Sequence, residues 1–585
     1  MNTLDPKPRN GLSRRDFLKL AGLTSSAFFI PNFLTGCSGY TANPGVVTIL
    51  TTSAEQRKIE TDVLVIGGGM AGVFAAITAR AQGLKVTLVD KGVVGRSGAT
   101  PWANTFTVFD EAAGHNRDEW IAGVRTSSDY VNNLDWLDQM LDNSKARWED
   151  IVSWGLTRED IRHPSLVLRE KLLSSGVELI ERAMLTTLLT KGNGSDQRVV
   201  GALGFAIDSE AALVVLAKAT IMCAGAGSFK APGFPIHSLT SDGDALAYRV
   251  GAKITGKEWV DFHWTSAETP ASCWNQWSGM WNSGVNKTAG VFNAGMTLDS
   301  AFDIHTGEAM SQRPGGPPPD GGEPGGGGRP GQSSGAQVQG AATGLGIHKA
   351  EGIWPTNLQG ACNIPGLFAA GDGLGSMLCG ASYVGIGLSL CGSAVQGVVA
   401  AEGAAEYAQQ AADPALSDDD IATLQAAMFA PRERENGFTP AWVTQVLQNT
   451  MFPYFVLFVK QQDRLEAALS TVTFLRDHLV PRLTVKDAHE LRLAHETANM
   501  VMNAEMKLRA SLFRTESRGT HYREDYPARN DEEWLAWVLL ERGPDGQMVA
   551  TKETIPEAWK PDMRIPYVER YPTRFPGELK YLGLA

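Results

Sequence analysis

The hydrophobic pattern is clearest from Thr61 onward. Asp62-Val63-Leu64-Val65-Ile66 is an apolar run of strand length without polar alternation, the pattern of a strand covered on both faces. A glycine-rich turn at 67–72 follows, then an alanine-rich helix over 73–82 closed by Gly83, then a second apolar strand over 85–90. Strand, turn, helix and strand in that order predict a βαβ unit and therefore a parallel sheet. Residues 117–190 read as helices joined by loops, and 199–207 and 213–223 as apolar strands. Strand character returns at Gly366-Leu367-Phe368-Ala369-Ala370 and runs into a Gly/Ala-rich helix ending near Tyr407. Beyond it, 417–515 reads as helical, with apolar residues recurring at a period of about 3.6 in 463–480 and 488–512. The tail to Ala585 is aromatic and Pro-rich. The class predicted is α/β.

Composition adds limits. The 585 residues are 43% apolar and 20% charged, enough to bury a large core in three or four domain-sized units of roughly 150 residues. Net charge is 52 − 64 = −12, and no basic tract lies beyond the first twenty residues, so nucleic acid is not an expected partner. The pattern changes near residue 246. Trp259, Trp264, Trp274, Trp277 and Trp281 crowd one short stretch, and 313–335 is almost wholly Pro and Gly. That second stretch has too little apolar surface to offset chain entropy and is expected to be a disordered loop.

The first 37 residues read as an address rather than as structure. Ser13-Arg14-Arg15-Asp16-Phe17-Leu18-Lys19 has the form of a twin-arginine export signal, and the apolar segment 20–34 behind it is too short and interrupted to span a bilayer. Leu34-Thr35-Gly36-Cys37 resembles a bacterial lipobox, with cleavage before Cys37 and a lipid on its thiol; the alternative is an ordinary cleaved signal with an incidental cysteine. Twin-arginine export carries folded proteins, which suits a chain that takes up a cofactor first. The expected location is the periplasmic side, anchored to a membrane by lipid on Cys37. The other cysteines (Cys223, Cys273, Cys362, Cys379, Cys391) lack the spacing of a zinc, iron–sulfur or haem site. No metal is expected, and these residues read as mostly buried small apolar side chains, with one disulfide left open.

Gly67-Gly68-Gly69-Met70-Ala71-Gly72 satisfies GxGxxG in its full context, between an apolar strand and a helix, with Asp90 ending the next strand. Gly67 serves the tight turn, Gly69 lets a pyrophosphate approach the backbone, and Gly72 lets helix pack on strand. Met70 and Ala71 belong to the turn leading into the helix, whose N-terminus offers N–H donors and positive dipole to phosphate, and the Asp90 carboxylate suits ribose hydroxyls. The fingerprint alone does not separate FAD from NAD. Leu367-Phe368-Ala369-Ala370-Gly371-Asp372 resembles the second flavin motif of two-dinucleotide-binding flavoproteins, which implies that Asp372 meets the ribityl chain. Thr220-Ile221-Met222-Cys223-Ala224-Gly225-Ala226-Gly227 resembles that fold's intervening strand and glycine turn, and the three pieces in this order imply FAD.

These residues are similar to the flavoprotein family of fumarate reductase, succinate dehydrogenase, L-aspartate oxidase, adenylylsulfate reductase and, more distantly, 3-ketosteroid dehydrogenase. Lys91-Gly92 with Gly95-Arg96-Ser97-Gly98-Ala99 looks like the family's flavin-contacting loop. Gly98 stands where succinate dehydrogenases carry the histidine that bonds the flavin, so the resemblance implies noncovalent FAD. Ser241-Asp242-Gly243-Asp244-Ala245-Leu246-Ala247-Tyr248-Arg249 is similar to the family's TGDGxxMAYR helix, and Glu258-Trp259-Val260-Asp261-Phe262-His263-Trp264-Thr265 to EFVQFHPT, which implies that His263 faces substrate. Thr515-Glu516-Ser517-Arg518-Gly519-Thr520-His521-Tyr522-Arg523-Glu524-Asp525-Tyr526-Pro527 matches TESRGxHxREDYP closely, with a structural role implied.

The substrate motifs depart from the family. His348 is comparable to the histidine of HYxMGG but one residue short. Tyr383 occupies the place of the arginine in HGANRLGGNSL, and the proton-donating RGEGG does not occur. Dicarboxylate members use those two arginines to hold and protonate fumarate, so fumarate itself is not the expected substrate. Tyr383-Val384-Gly385-Ile386-Gly387 resembles instead the loop by which 3-ketosteroid dehydrogenases polarise a carbonyl. The tryptophan cluster fits a neutral ring-containing substrate or the core of a capping domain.

The resulting architecture is a Rossmann-like FAD-binding domain interrupted by an α+β cap. It comprises a leader 1–36, a tether 37–58, FAD-binding parts at 59–245 and 346–410, a cap at 246–345 and a C-terminal helical domain with tail at 411–585. The expected reaction is hydride transfer between flavin N5 and a CH–CH or C=C bond beside a carbonyl, with His263, His348 or Tyr383 serving the proton or carbonyl. A CH–OH dehydrogenase, an adenylylsulfate-reductase-like enzyme and a flavin subunit of an electron-transfer complex remain open. A separate redox carrier (an iron–sulfur or haem protein, or a quinone) is expected, because the chain has no CxxCH and no clustered cysteines.

Overall fold

A computed structural model of the protein describes residues 56–103, 106–156, 164–230, 236, 238–260, 352–375, 378–382, 388–571 and 573–584, together with two-residue strands at 47–48, 262–263, 265–266, 285–286, 337–338 and 344–345. The chain divides into two units, Met1–Asn43 and Pro44–Ala585. The leader, Cys37 and the Gly/Pro-rich 313–335 stretch lie outside the described residues.

Within the second unit the strands are β1 (Val47–Thr48), β2 (Arg57–Ile66), β3 (Val86–Asp90), β4 (Glu178–Glu181), β5 (Ala183–Lys191), β6 (Arg198–Ala206), β7 (Ala212–Met222), β8 (Ile254–Thr255), β9 (Gly352–Ile353), β10 (Leu367–Ala369), β11 (Ala536–Arg542) and β12 (Met548–Thr554). An eight-stranded sheet runs β1-β4-β3-β2-β7-β6-β5, with β10 also pairing β7. Its β1, β4, β3, β2, β7 and β10 are parallel, as the βαβ reading required. The last 220–222 stretch of β7 lies between β2 and β10, while its earlier part pairs antiparallel with β6. Both dinucleotide motifs therefore leave the sheet at neighbouring carboxyl ends, where ligands of open α/β sheets sit.

The helices are α1 (Met70–Ala81), α2 (Arg117–Ser127), α3 (Leu134–Ser153), α4 (Pro164–Ser174), α5 (Asp242–Arg249), α6 (Leu388–Gln410), α7 (Asp418–Glu433), α8 (Pro440–Met451), α9 (Gln462–Phe474) and α10 (Ala488–Phe513). Helices α1 and α6 share the core of the large sheet. Helix α6 is apolar and long enough to cross a membrane, but most of it is buried inside the protein, so its apolarity serves the core. Helices α7 to α10 enclose a second core that also takes in residues of β5, β6 and β7.

Five expectations change. The 178–191 region, read as helix, forms β4 and β5, because β5 buries both faces against β6 and the core. Part of the segment read as a tether joins the sheet: β1 pairs with β4, and β2 starts at Arg57. The cap boundary expected at 246 falls inside α5, and β8 beyond it pairs with β9 and β11. Trp259, read as part of an aromatic cap, is instead fully buried in the base against Val131, Ala381 and Trp537. The tail is more than an appendage to helices: β11 and β12 form an antiparallel hairpin in a four-stranded sheet β9-β8-β11-β12. It buries apolar residues including Trp537 and Leu539.

Candidate active site

The phosphate turn is built by two constraints. Gly67 sits at φ +102°, and a Cβ there would lie 2.4 Å from the Cys223 carbonyl oxygen. A Cβ at Gly72 would stand 1.8 Å from the Gly67 oxygen, so glycine at 72 is what lets α1 approach the end of β2. The Gly67 amide donates to Val89 O (2.9 Å), which ties the turn to β3. At the start of α1, the Met70 N–H donates to Thr100 Oγ1 (2.9 Å). The N-cap residue, Gly69, has no side chain to cap this helix, and its first turn carries no acidic residue. Among the described residues the Gly69 and Ala71 amides have no protein acceptor, which leaves donors at a positive helix end aimed at an anion.

Asp90, at the end of β3, is held in place by three donors. Its carboxylate accepts from the amides of Gly68 (2.7 Å) and Gly92 (2.6 Å), with Ser97 Oγ at 3.2 Å. From the second motif, Gly371 N–H donates to Gln396 Oε1 (3.0 Å) on α6, and Ser389 Oγ donates to Asp372 (2.7 Å). These segments surround a groove with about 920 Å³ of empty space. Gly67, Gly69, Met70, Ala71, Asp90, Lys91, Ser97, Gly98, Ala99, Ala224, Gly225, Gly371 and Asp372 all line it, and Gly72 stands behind the turn. At Gly98, φ +75°, the space where a Cβ would project is open.

Several lining residues carry no signal in the sequence motifs: Thr100, Met184, Leu185 and Ser238. Ser238 Oγ accepts the Gly98 amide (3.2 Å). Lys91 lines the groove, but its ammonium is committed to protein partners: Asp242 (2.6 Å), Glu496 (2.8 Å) and Thr240 Oγ1 (3.0 Å). Burial alone would lower its pKa, yet the two carboxylates outweigh burial and hold it above its ordinary value. Glu496, on α10, is itself fully buried. Burial would raise its pKa, but Lys91, Lys230 and Arg492 bring it down to about 2. Asn499, one turn further along α10, donates to Asp242 (2.8 Å). One wall of the groove thus depends on a helix some four hundred residues from the fingerprint. Cys223 also lines the groove, but burial pushes its thiol upward and leaves it a buried apolar residue; Cys362, Cys379 and Cys391 are likewise buried and in no disulfide.

The candidate reacting residues are less fully placed. His263 lies on a short strand whose backbone pairs with Gly344, while its side chain, His348 and Tyr383 lie outside the described residues. The segments leading to two of them are well anchored. Glu258 is buried with Arg514 Nε on its carboxylate (3.0 Å), and Arg514 lies over the Trp259 and Trp534 rings. Ser382, next to Tyr383, donates to Ser127 O (2.5 Å).

Two family models match the chain in this same order. Residues 62–165 match the FAD binding domain and residues 444–566 the fumarate reductase flavoprotein C-term. Over both segments the chain is similar to the flavoproteins of the fumarate reductase/succinate dehydrogenase family. This flavoprotein is an FAD-dependent oxidoreductase, and the groove, with the start of α1 and open Gly98, fits FAD. It is 25% identical to one subunit of the fumarate reductase (CoM/CoB) of Methanothermobacter marburgensis, across 85% of this chain and 100% of that one. It is 23% identical to L-aspartate oxidase of Streptomyces coelicolor, across 85% and 94%. Among solved structures, Mycobacterium smegmatis Sdh1 in complex with UQ1 superposes with a TM-score of 0.69 at 20% identity, covering 88% of this flavoprotein and 98% of Sdh1, which shows the shared fold.

Proposed function

We propose that this flavoprotein transfers hydride between noncovalently held FAD and a CH–CH or C=C bond beside a carbonyl, on a neutral substrate rather than on fumarate. The observation that carries the reading is a substitution of chemistry: Tyr383 stands where dicarboxylate members have a clamping arginine, and the chain contains no RGEGG. A guanidinium pairs bidentately with a carboxylate, whereas a phenol offers one donor suited to a carbonyl oxygen. Likeness to the family leaves the substrate open, since relatives at similar identity include both a fumarate reductase and an L-aspartate oxidase.

Bound FAD supplies the hydride chemistry at N5. The start of α1 holds the pyrophosphate and Asp90 the ribose, while Asp372 meets the ribityl chain. Tyr383 polarises the substrate carbonyl, and His263 or His348 moves the accompanying proton, since imidazole titrates close to working pH. Gly98 leaves no side chain to bond the flavin. A separate redox carrier completes the cycle, in keeping with relatives named as subunits and with Sdh1 solved with UQ1. We also place the protein on the periplasmic side, exported by its Arg14-Arg15 signal and anchored through Cys37.

The test is anaerobic reoxidation of the dithionite-reduced protein, followed at the flavin band. Cyclohex-2-en-1-one should restore the band and fumarate should not, and His263→Ala should lose the response while keeping its flavin. Reoxidation by fumarate alone would overturn the substrate class. Reoxidation by none of the small molecules, but by a redox protein or quinone, would favour an electron-transfer role without a substrate site.

A further inference from the structure

We propose that Thr520 is a positioning residue that fixes the spacing between the chain segments carrying His263 and Tyr383; this rests on the reading of those two as reacting groups. Thr520 is buried, and its side chain joins two segments far apart in sequence. Its Oγ1 accepts the Val260 N–H (3.1 Å) and donates to Ala381 O (3.2 Å), while its own amide donates to the same carbonyl (3.0 Å). His263 follows Val260 by three residues and Tyr383 follows Ala381 by two. At about 3.8 Å per residue, each candidate lies within roughly 8–11 Å of an anchor that ends on one hydroxyl.

Both anchors are fixed from their far sides. Lys460 Nζ donates to Glu258 O (2.6 Å), two residues before Val260. The Ala381 amide donates to Ser128 O (3.3 Å), at the head of a turn in which Asp129 (φ +49°) and Tyr130 (φ +65°) both adopt the left-handed region. Non-glycine residues keep that conformation only where their surroundings over-determine it, and such strain gathers at functional sites. Here the Thr520 loop does the holding. The Asp129 carboxylate accepts from the Gly519 amide (2.7 Å) and Arg529 Nε (2.9 Å), and its carbonyl accepts from Arg518 (2.8 Å). Gly519, at φ +54°, leaves the loop no slack, since a Cβ there would sit 2.2 Å from Ala381 O. A loop needed only for stability would not require one hydroxyl shared between the two candidate segments.

Hydrogen exchange on the FAD-loaded full chain reads this joint without a substrate. Thr520→Val should speed exchange about tenfold in peptides covering both 260–266 and 381–388, the effect of one lost buried hydrogen bond, with flavin content unchanged. Thr520→Ser should restore protection. Thr520→Ala, which leaves room for a water, gives a second reading should the valine variant fold poorly. With cyclohex-2-en-1-one, Thr520→Val should lower kcat by roughly ten- to a hundredfold with KM changed less. Unchanged exchange, or a change in one segment only, would overturn the proposal, as would normal kcat in Thr520→Val alongside inactive His263→Ala. Full turnover in His263→Ala and Tyr383→Phe would sink the assignment of reacting groups instead, leaving exchange to decide the joint.

Discussion

Gly69 has ordinary backbone angles, φ −74° and ψ −171°, so a side chain there does not strain the chain. What a side chain would meet is Thr100 Oγ1, 3.3 Å from the Cβ position, and the mouth of the groove. Gly69→Val is therefore expected to fold with a melting temperature near that of the flavin-free parent and to lose its flavin, by more than about tenfold in affinity, because branched methyls occupy the approach to the amides at the start of α1. Normal flavin absorbance in that variant would contradict phosphate approach at this turn. Residues of this kind were legible in the sequence because their roles follow from local spacing: Gly67, Gly72 and Asp90 act on atoms a few positions away or on the adjacent strand. Lys91 shows the limit. Its neighbours in sequence suggested the cofactor, whereas Asp242 and Glu496 claim its ammonium, and no local pattern could have named them.

At the scale of elements, the apolar pattern succeeded where it kept a helical period over several turns and misled where a long apolar run had none. Helix α10 was expected over 488–512 and forms over Ala488–Phe513. Strand β5 carries apolar residues on both faces and bulges against β6, so its run had no period to separate strand from helix. Helix α10 also carries a pH-dependent contact. His495 is buried, its Nε2 lies 3.0 Å from Met428 O, and its ring packs 5.9 Å from Phe205. Burial, reinforced by the Arg249 charge, outweighs the Met428 carbonyl and holds its pKa at about 4 against an ordinary 6.5. The unfolded chain takes up this proton near pH 6.5 and the folded chain only near pH 4. The stabilisation is thus complete above pH 6.5 and lost as pH falls toward 4, by roughly 3 kcal/mol. Urea unfolding at pH 7 and pH 4 should show that drop, and His495→Gln should remove most of it. An equal drop in the variant would assign the acid sensitivity elsewhere.

For the whole molecule, the decisive property is that the groove is not a product of the βαβ unit alone. Its lining runs from Ile66 to Ser393, and two of its charged residues are held by Glu496 and Asn499 on α10. The limit drawn near 246 cuts through α5, Trp259 beyond it packs with Val131, Ala381 and Trp537, and the tail returns as β11 and β12 beside β8. The charged wall of the groove is complete only with α10 in place, which favours FAD uptake by the folded chain. That dependence would give the proposed export signal at Arg14-Arg15 a physical rationale, because a route that carries folded proteins can carry the cofactor with them. Replacing Arg14 and Arg15 by lysine should leave yellow, flavin-loaded protein in the cytoplasm of a bacterial host. Cys37→Ser should still cross, but appear in the soluble periplasmic fraction, since a missing lipid removes the anchor without touching the groove. Membrane-bound Cys37→Ser protein would point to another anchor, and colourless cytoplasmic protein after the arginine change would mean that flavin enters only after export.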